Sequence, residues 1–422
     1  MDKINIEGGQ VLKGTVEISG AKNAVLPILA ATLLTDEKCV LKNVPPLKDG
    51  ITMLRILKEL GVRTHYCEGS REIIVEPRKL TNHVAPYRLV SQMRASFCVL
   101  GPLLGKLKRA QVSLPGGCVI GPRPVDLHLK GIKALGADVK IDHGYVFATA
   151  KNLRGARVYL GGAFGSSVLA TDNVMMAAVL AKGKTIIENA ACEPEVIDLA
   201  EFLIKMGAKI KGHRTHTIEI EGVKILNGAE HSVIPDRIEA GTYIVASAIT
   251  GGDVTIKNVI PEHMGAVIDK LQEAGIKITR GTNSIRACGR AHLKPVDATT
   301  LPYPGFPTDM QAQMMSLMCV TEGISVITEK IYPDRFMHIS ELNRMGAQVM
   351  LEGASAIVKG VKHLSGAPVM ASDLRASAAL VLAGLVAKGK TEISRVYHLD
   401  RGYERMEEKL AALGARVWRE KE

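Results

Sequence analysis

Aromatic side chains are scarce. They make up 4% of the 422 residues, with one tryptophan and six phenylalanines, too few for the stacking platforms on which single-stranded nucleic acids are held. Small ligands fit the composition better. No two cysteines stand in a C-x-x-C pair; the seven (Cys39, Cys67, Cys98, Cys118, Cys192, Cys288 and Cys319) are odd in number and widely spread. That distribution disfavours a disulfide framework or a zinc site and fits a reducing, cytoplasmic setting. Glycine-rich nucleotide signatures lack their context: no G-x-G-x-x-G follows a strand pattern, and the one G-x-x-x-x-G-K-[ST] match, Gly384–Thr391, leads from an apolar helix-like run into a strand rather than from a strand into a helix, so nucleoside triphosphate chemistry is not indicated. The opening residues lack the apolar core of a signal peptide, and the best apolar run, 376–387, is too short and glycine-broken to span a bilayer. Neither export nor membrane insertion is expected. His213 and His216 lie three apart in a polar run between strand-like segments and read as solvent-facing rather than as metal ligands.

Apolar residues make up 46% of the chain, enough for full cores in two or three domains. The net charge of +11 suits nucleic acid, an anionic membrane surface or anionic metabolites, and fits equally a basic surface that is merely solvated.

A helix-like stretch ending in glycine, followed by a β-rich run, recurs at Gly61, Gly136, Gly207, Gly275, Gly346 and Gly414, 68 to 75 residues apart. Each glycine reads as a helix C-terminus in the left-handed conformation. β-Branched strands such as Lys184–Glu188, Asp253–Lys257 and Lys390–Ser394 precede these helices. Each unit also holds a second helix of small residues, for example Asn173–Ala181, apolar almost all round and therefore expected to be buried. The N-terminal segments Ile4–Gly8, Leu12–Gly14 and Val16–Ile18 parallel Ala356–Gly360, Leu364–Gly366 and Val369. These features predict six related β-α-β units in two three-unit domains: residues 21–232 form one, and 1–20 with 233–422 form the other, completed by the N-terminal strands. Two crossovers then make a hinge beside a cleft.

Charged residues recur at fixed places in the unit. Lys48, Arg123, Glu262 and Arg401 stand thirteen positions before the helix-ending glycine, and Arg335 stands two residues nearer. That place is expected to open a helix. Lys22-Asn23, Arg94, Thr171-Asp172-Asn173, Arg237, Asp309 and Arg375 are expected to open the buried helices. Cations at helix N-termini are unfavourable unless an anion or carboxylate joins them. An anionic ligand supplies one answer; ion pairs with Asp49, Asp334, Asp373 or Asp400 supply the other. Asp309, on a proline-rich loop, reads either as a lone base or as a helix cap.

The stretch from Leu114 to His128 holds Cys118 and Arg123 on a loop punctuated by Gly116, Gly117, Pro122 and Pro124. Glycine and proline favour an exposed, stiffened turn, and a nearby cation favours thiolate. The alternative for Cys118 is an ordinary small apolar residue.

Taken together, Gly20–Asn23, the Cys118 loop through His128, Glu188–Ala191, Pro304–Gln311, Asp373–Ser377 and Asp400–Glu404 resemble the family of enolpyruvyl transferases that act on UDP-N-acetylglucosamine. The likeness covers essentially the whole chain. It implies a two-domain inside-out α/β barrel and closure of the domains around UDP-N-acetylglucosamine and then phosphoenolpyruvate, with no metal or organic cofactor. It also implies roles. Cys118 matches the family's general acid, also the site of fosfomycin alkylation, and Asp309 matches the carboxylate near the sugar 3′-hydroxyl. Lys22, Arg123 and Arg401 match phosphoenolpyruvate contacts; Arg94, Arg335, Asp373 and Arg375 match supporting residues. Asn23 and the run Arg123, Pro124, Val125, Asp126, Leu127 and His128 match the nucleotide-sugar side. One departure stands out: Leu169 replaces a glycine of the loop that borders the uridine diphosphate in the family.

Three other readings remain open at this point. They are enolpyruvyl transfer to shikimate 3-phosphate, against which the Cys118 loop argues; a DNA-encircling clamp, which needs cations along exposed helix faces; and a non-catalytic paralogue that binds sugar nucleotide.

Overall fold

In the computed structural model the described residues are 2–67, 69–78, 80–116, 124–289 and 292–421. Six four-stranded sheets repeat one pattern: an edge strand parallel to the second, then two antiparallel neighbours. The chain divides into two compact units, one holding residues up to Ser19 and from Pro235 onward, the other the described residues from Gly20 to Ile234. Three sheets fall in each.

In the second of these units the inner strands are Cys39–Lys42, Arg109–Ser113 and Lys184–Glu188, each parallel to a short edge strand: Glu230–Ser232, Val84–Ala85 and Arg157–Tyr159 respectively. The other unit repeats this with Asp253–Lys257, Ile324–Thr328 and Lys390–Ser394. Its last sheet takes the N-terminal strand Asp2–Glu7 between Lys390–Ser394 and Arg416–Lys421, and strand Lys13–Glu17 lies along Asp253–Lys257. Both crossovers are tied locally: Asp236 N–H donates to Ser19 O at 2.9 Å, and Ala21 N–H donates to Ile234 O at 2.7 Å.

All six helix-ending glycines adopt positive φ, between 88° and 101°, where a β-carbon would crowd the carbonyl. The small-residue helices are buried. Lys22–Ala31, Leu100–Leu107 and Val168–Ala178 fill the core of one unit; Arg237–Ile249, Gln311–Cys319 and Leu374–Gly384 fill that of the other. Small residues allow these helices to pack closely: a β-carbon at Gly101 would lie 2.2 Å from Asn173 O. Thr171–Asn173 lie inside helix Val168–Ala178 rather than opening it, because Ser167 caps the helix four residues earlier.

After four of the third strands the chain passes so close to a helix end that only glycine fits. A β-carbon at Gly222 would lie 1.6 Å from Ala181 O, and one at Gly360 would lie 1.6 Å from Thr321 O; Gly8 and Gly289 hold the corresponding places. Among the buried histidines, two are shifted by their surroundings. Burial, helped by Arg94, pushes the His128 imidazole down to about 3. Burial also lowers His338 to about 4, with Asp373 opposing and Arg335 assisting.

Gly222→Ala and Gly360→Ala are each expected to lower unfolding free energy by about 1–3 kcal/mol through backbone displacement. Gly265→Ala, at a helical site with nothing within 4 Å of the new β-carbon, is expected to raise it by about 0.5–1 kcal/mol. Urea titration measures all three. A histidine held neutral in the fold binds its proton more readily once unfolded, so its stabilisation is full above pH 6.5 and is lost as pH falls toward the folded value. For His128 and His338 the loss should be about 2 kcal/mol each at pH 5. Urea titrations at pH 5 and 7.5 should show that fall, and His128→Gln should shrink it.

Candidate functional site

The unit that contains Pro235 onward gathers a carboxylate and two guanidinium groups from three helix starts. Asp309 lies in the turn Thr308–Met310, directly before helix Gln311–Cys319. Arg375 lies in the first turn of helix Leu374–Gly384, and Arg335 in the turn before helix Ile339–Arg344. Arg335 Nη1 donates to Asp309 Oδ1 at 2.8 Å, and Arg375 Nε donates to Oδ2 at 3.1 Å. The cations are buried, with side-chain exposures of 8% and 1%, whereas the carboxylate keeps 24%. Asp309 is therefore the face of the cluster that reaches solvent. Burial works to lower both arginines' proton affinity, but the neighbouring anions outweigh it and raise both.

Neighbouring residues lock this arrangement. Thr308 Oγ accepts from Arg335 at 3.0 Å and donates to the buried Glu329 at 2.9 Å. Glu329 also accepts from Thr300 Oγ and from the N–H groups of Ile331 and Tyr332. The Arg375 guanidinium lies 5.2 Å from the Tyr403 ring centroid, a cation–π distance. The Tyr403 hydroxyl meets Thr242 Oγ at 2.8 Å. Gln313 Nε2 donates to Asp309 O at 2.9 Å and lies 3.3 Å from the same hydroxyl.

Arg335 and Arg375 pair with Asp309 rather than with their sequence neighbours. Asp373 caps its own helix, its Oδ1 accepting from the N–H groups of Arg375 and Ala376 at 2.8 and 3.2 Å. Asp400 pairs with Arg419, and Arg335 turns to Asp309 rather than to Asp334. Arg401 ends the 3-10 helix Val396–Arg401 and does not open a helix; the next begins at Met406. The segment still packs against the Arg375 helix, since a β-carbon at Gly402 would lie 2.6 Å from Leu374 Cδ2.

In the unit from Gly20 to Ile234, Lys22 opens helix Lys22–Ala31, and its Nζ lies 3.5 Å from Asp49 Oδ2, at the start of helix Lys48–Glu59. Asn23 follows, half-buried. Arg94 opens a 3-10 turn, and its Nη2 donates to Pro124 O at 2.8 Å. That bond fixes the chain just before helix Asp126–Ala134, with Val125 as its cap. Pro124 and Asp126 are exposed, and Val125 and Leu127 half-buried.

His128 departs from its expected place on the ligand side. Its ring is in the core, edge-on to Phe97 at 5.1 Å, with Nδ1 2.9 Å from Asn173 Nδ2. Two residues, about half a helical turn, carry it from the exposed Asp126 to the inner face. Leu169 lies in the first turn of helix Val168–Ala178 and packs on the core. His213 is not wholly solvated, since Nε2 meets Glu201 at 2.9 Å. Cys118 and Arg123 lie outside the described residues.

Tyr403, Gln313 and Glu329 escaped the sequence reading. Gln311 and Gln313 were visible as polar residues in an otherwise apolar buried helix, the kind of exception that signals an internal hydrogen-bond network. Chemically, the Asp309 cluster offers a hydrogen-bond acceptor held over two fixed cations, suited to receive a hydroxyl proton where negative charge accumulates.

The chain matches the pattern of the family described as EPSP synthase (3-phosphoshikimate 1-carboxyvinyltransferase) over residues 6–410. It is 58% identical over 417 residues to UDP-N-acetylglucosamine 1-carboxyvinyltransferase 1 of Caldanaerobacter subterraneus subsp. tengcongensis, covering 99% of each chain. The Myxococcus xanthus protein named UDP-N-acetylglucosamine 1-carboxyvinyltransferase is 56% identical over 427 residues, with 100% of each chain covered. Among solved structures, the enolpyruvyl transferase NikO from Streptomyces tendae superposes with a TM-score of 0.90 at 24% identity, covering 99% of this chain and 98% of that one. EPSP synthase from Acinetobacter baumannii superposes at 0.75 with 18% identity and full coverage of both chains; these two likenesses show the fold. The chain belongs to the EPSP synthase family of enolpyruvyl transferases.

Proposed function

We propose that this protein transfers the enolpyruvyl group of phosphoenolpyruvate to the 3′-hydroxyl of UDP-N-acetylglucosamine and releases phosphate, the committing step of peptidoglycan synthesis. The observation that carries this reading is full-length identity of 55–58% to three enzymes named for that acceptor. The Asp309 cluster supplies fitting chemistry. Asp309 accepts the proton of the sugar hydroxyl as its oxygen attacks C2 of phosphoenolpyruvate, while the Cys118 thiol delivers a proton to C3. The tetrahedral adduct then loses a proton from C3 and the phosphate from C2, which restores the double bond. Phosphoenolpyruvate brings a carboxylate and a phosphate on three carbons, so several cations are needed. Lys22, Arg123 and Arg401 are proposed to hold it, with Arg94, Arg335, Asp373 and Arg375 in support. Asn23 and the residues from Pro124 to Leu127 are proposed for the nucleotide sugar.

Arg335 and Arg375 each donate to one oxygen of Asp309, which fixes the direction from which the carboxylate can take the hydroxyl proton. Closure of the domains would keep water from the reactive adduct.

Purified protein given both substrates should release phosphate, and with shikimate 3-phosphate as sole acceptor it should not; the reverse result would move the assignment to the shikimate branch. Absence of turnover with either acceptor, despite sugar-nucleotide binding, would mark a silent paralogue. Cys118→Ala should abolish release, and fosfomycin should add its mass to the wild-type thiol but not to the variant. Asp309→Asn should lower kcat by about 100-fold or more, the range for loss of a positioned base, with a far-UV spectrum like wild type; a change under threefold would remove Asp309 from the reaction.

A further inference from the structure

Three carboxylates, two from the elements just before it and one from the N-terminal strand, converge on one guanidinium in the last strand. Arg419 donates from Nη2 and Nη1 to the two oxygens of Asp400 at 2.6 and 3.1 Å, and from Nε to Glu407 at 2.6 Å. Nη1 also reaches Asp2 at 3.4 Å. The bidentate pairing fixes orientation as well as distance, because a planar guanidinium matches a carboxylate in only a few arrangements. Arg419 keeps 26% of its side-chain surface and Asp400 keeps 20%, so this is a boundary cluster rather than part of the apolar core.

Asp400 directly precedes Arg401 at the end of the helix Val396–Arg401. The segment is bracketed by two non-glycine residues in left-handed conformation, Arg395 at φ 57° and Arg405 at φ 42°. Such backbone persists only where surrounding contacts impose it. On one side those contacts are Gly402 against Leu374 and Tyr403 against Arg375; on the other they are the Arg419 clamp. Removal of Arg419 would also leave Asp2, Asp400 and Glu407 to repel one another.

We propose that Arg419 is a positioning residue for Arg401: by gripping Asp400 it fixes the backbone from which Arg401 reaches phosphoenolpyruvate. This inference rests on the assignment of Arg401 to that substrate. Steady-state kinetics with each substrate varied, on wild type, R419A, R419K, D400N, R401A and R401A/R419A, together with thermal melting, tests it. R419A and D400N should each raise KM for phosphoenolpyruvate about tenfold, as a displaced binding group does, with KM for UDP-N-acetylglucosamine within about twofold. R419K, which keeps the charge but loses the fork, should fall between. Added to R401A, R419A should change KM for phosphoenolpyruvate by less than about twofold, since the two act on one contact. An unchanged KM in R419A and D400N while R401A raises it, or a full additional effect in the double variant, overturns the proposal. An unchanged KM in R401A overturns the Arg401 assignment and this inference with it. Should R419A fail to fold, D400N and R419K carry the same comparison.

Discussion

A guanidinium group cannot be buried without an anion beside it, and the unit around Asp309 is arranged to meet that requirement twice with one carboxylate. Arg375 and Arg335 are nearly inaccessible and both reach Asp309, which alone of the three keeps contact with solvent. The surrounding structure follows from this economy. Asp373 is taken up by backbone N–H groups, Glu329 holds the Thr308 hydroxyl that braces Arg335, and Tyr403 backs the Arg375 guanidinium. Asp373 and Glu329 near Arg335, and Asp236 near Arg375, add further negative charge around the pair.

The repeated unit places such groups where chemistry can use them. Every four-stranded sheet repeats one order of strands, so the buried helices begin in equivalent positions, with their free N–H groups at the same end of each unit. Asp309, Arg375, Lys22 and Arg94 all stand at these starts. Six copies of one supersecondary element thus present six chances to place a polar residue on a rigid base, and the proposed reaction draws on several. The tight glycines after the third strands serve rigidity, since strand and helix end meet there backbone to backbone.

The repeats were legible in the sequence because their markers are local. A helix-ending glycine needs positive φ wherever it occurs, and Gly61, Gly136, Gly207, Gly275, Gly346 and Gly414 all show it. Burial of the small-residue helices followed from their even apolarity. Partnerships were less legible. Asp334 and Asp373 neighbour the arginines in sequence, yet adjacent residues in a turn point apart, and the partner came from a loop 26 and 66 residues away. Arg401 was misplaced as a helix start because the repeat here inserts a 3-10 turn before its helix. For His128 half a turn of helix beyond the exposed Asp126 decided inside against outside, which the run of residues around it did not reveal. Of the Arg419 clamp only Asp400 fell within a recognised motif, and its partner at the end of the chain was not legible from it.

The central claim is that Asp309, held between Arg335 and Arg375, faces the acceptor's 3′-hydroxyl. A site built to bond a hydroxyl discriminates against the analogue that lacks it, so calorimetric titration with UDP-N-acetylglucosamine and its 3′-deoxy analogue tests the claim directly. Wild-type protein should bind the natural ligand at least about tenfold more tightly, the scale of one charge-assisted hydrogen bond, and Asp309→Ala should bind the two alike. Equal affinities in the wild type, or a preference that survives in Asp309→Ala, would contradict the account.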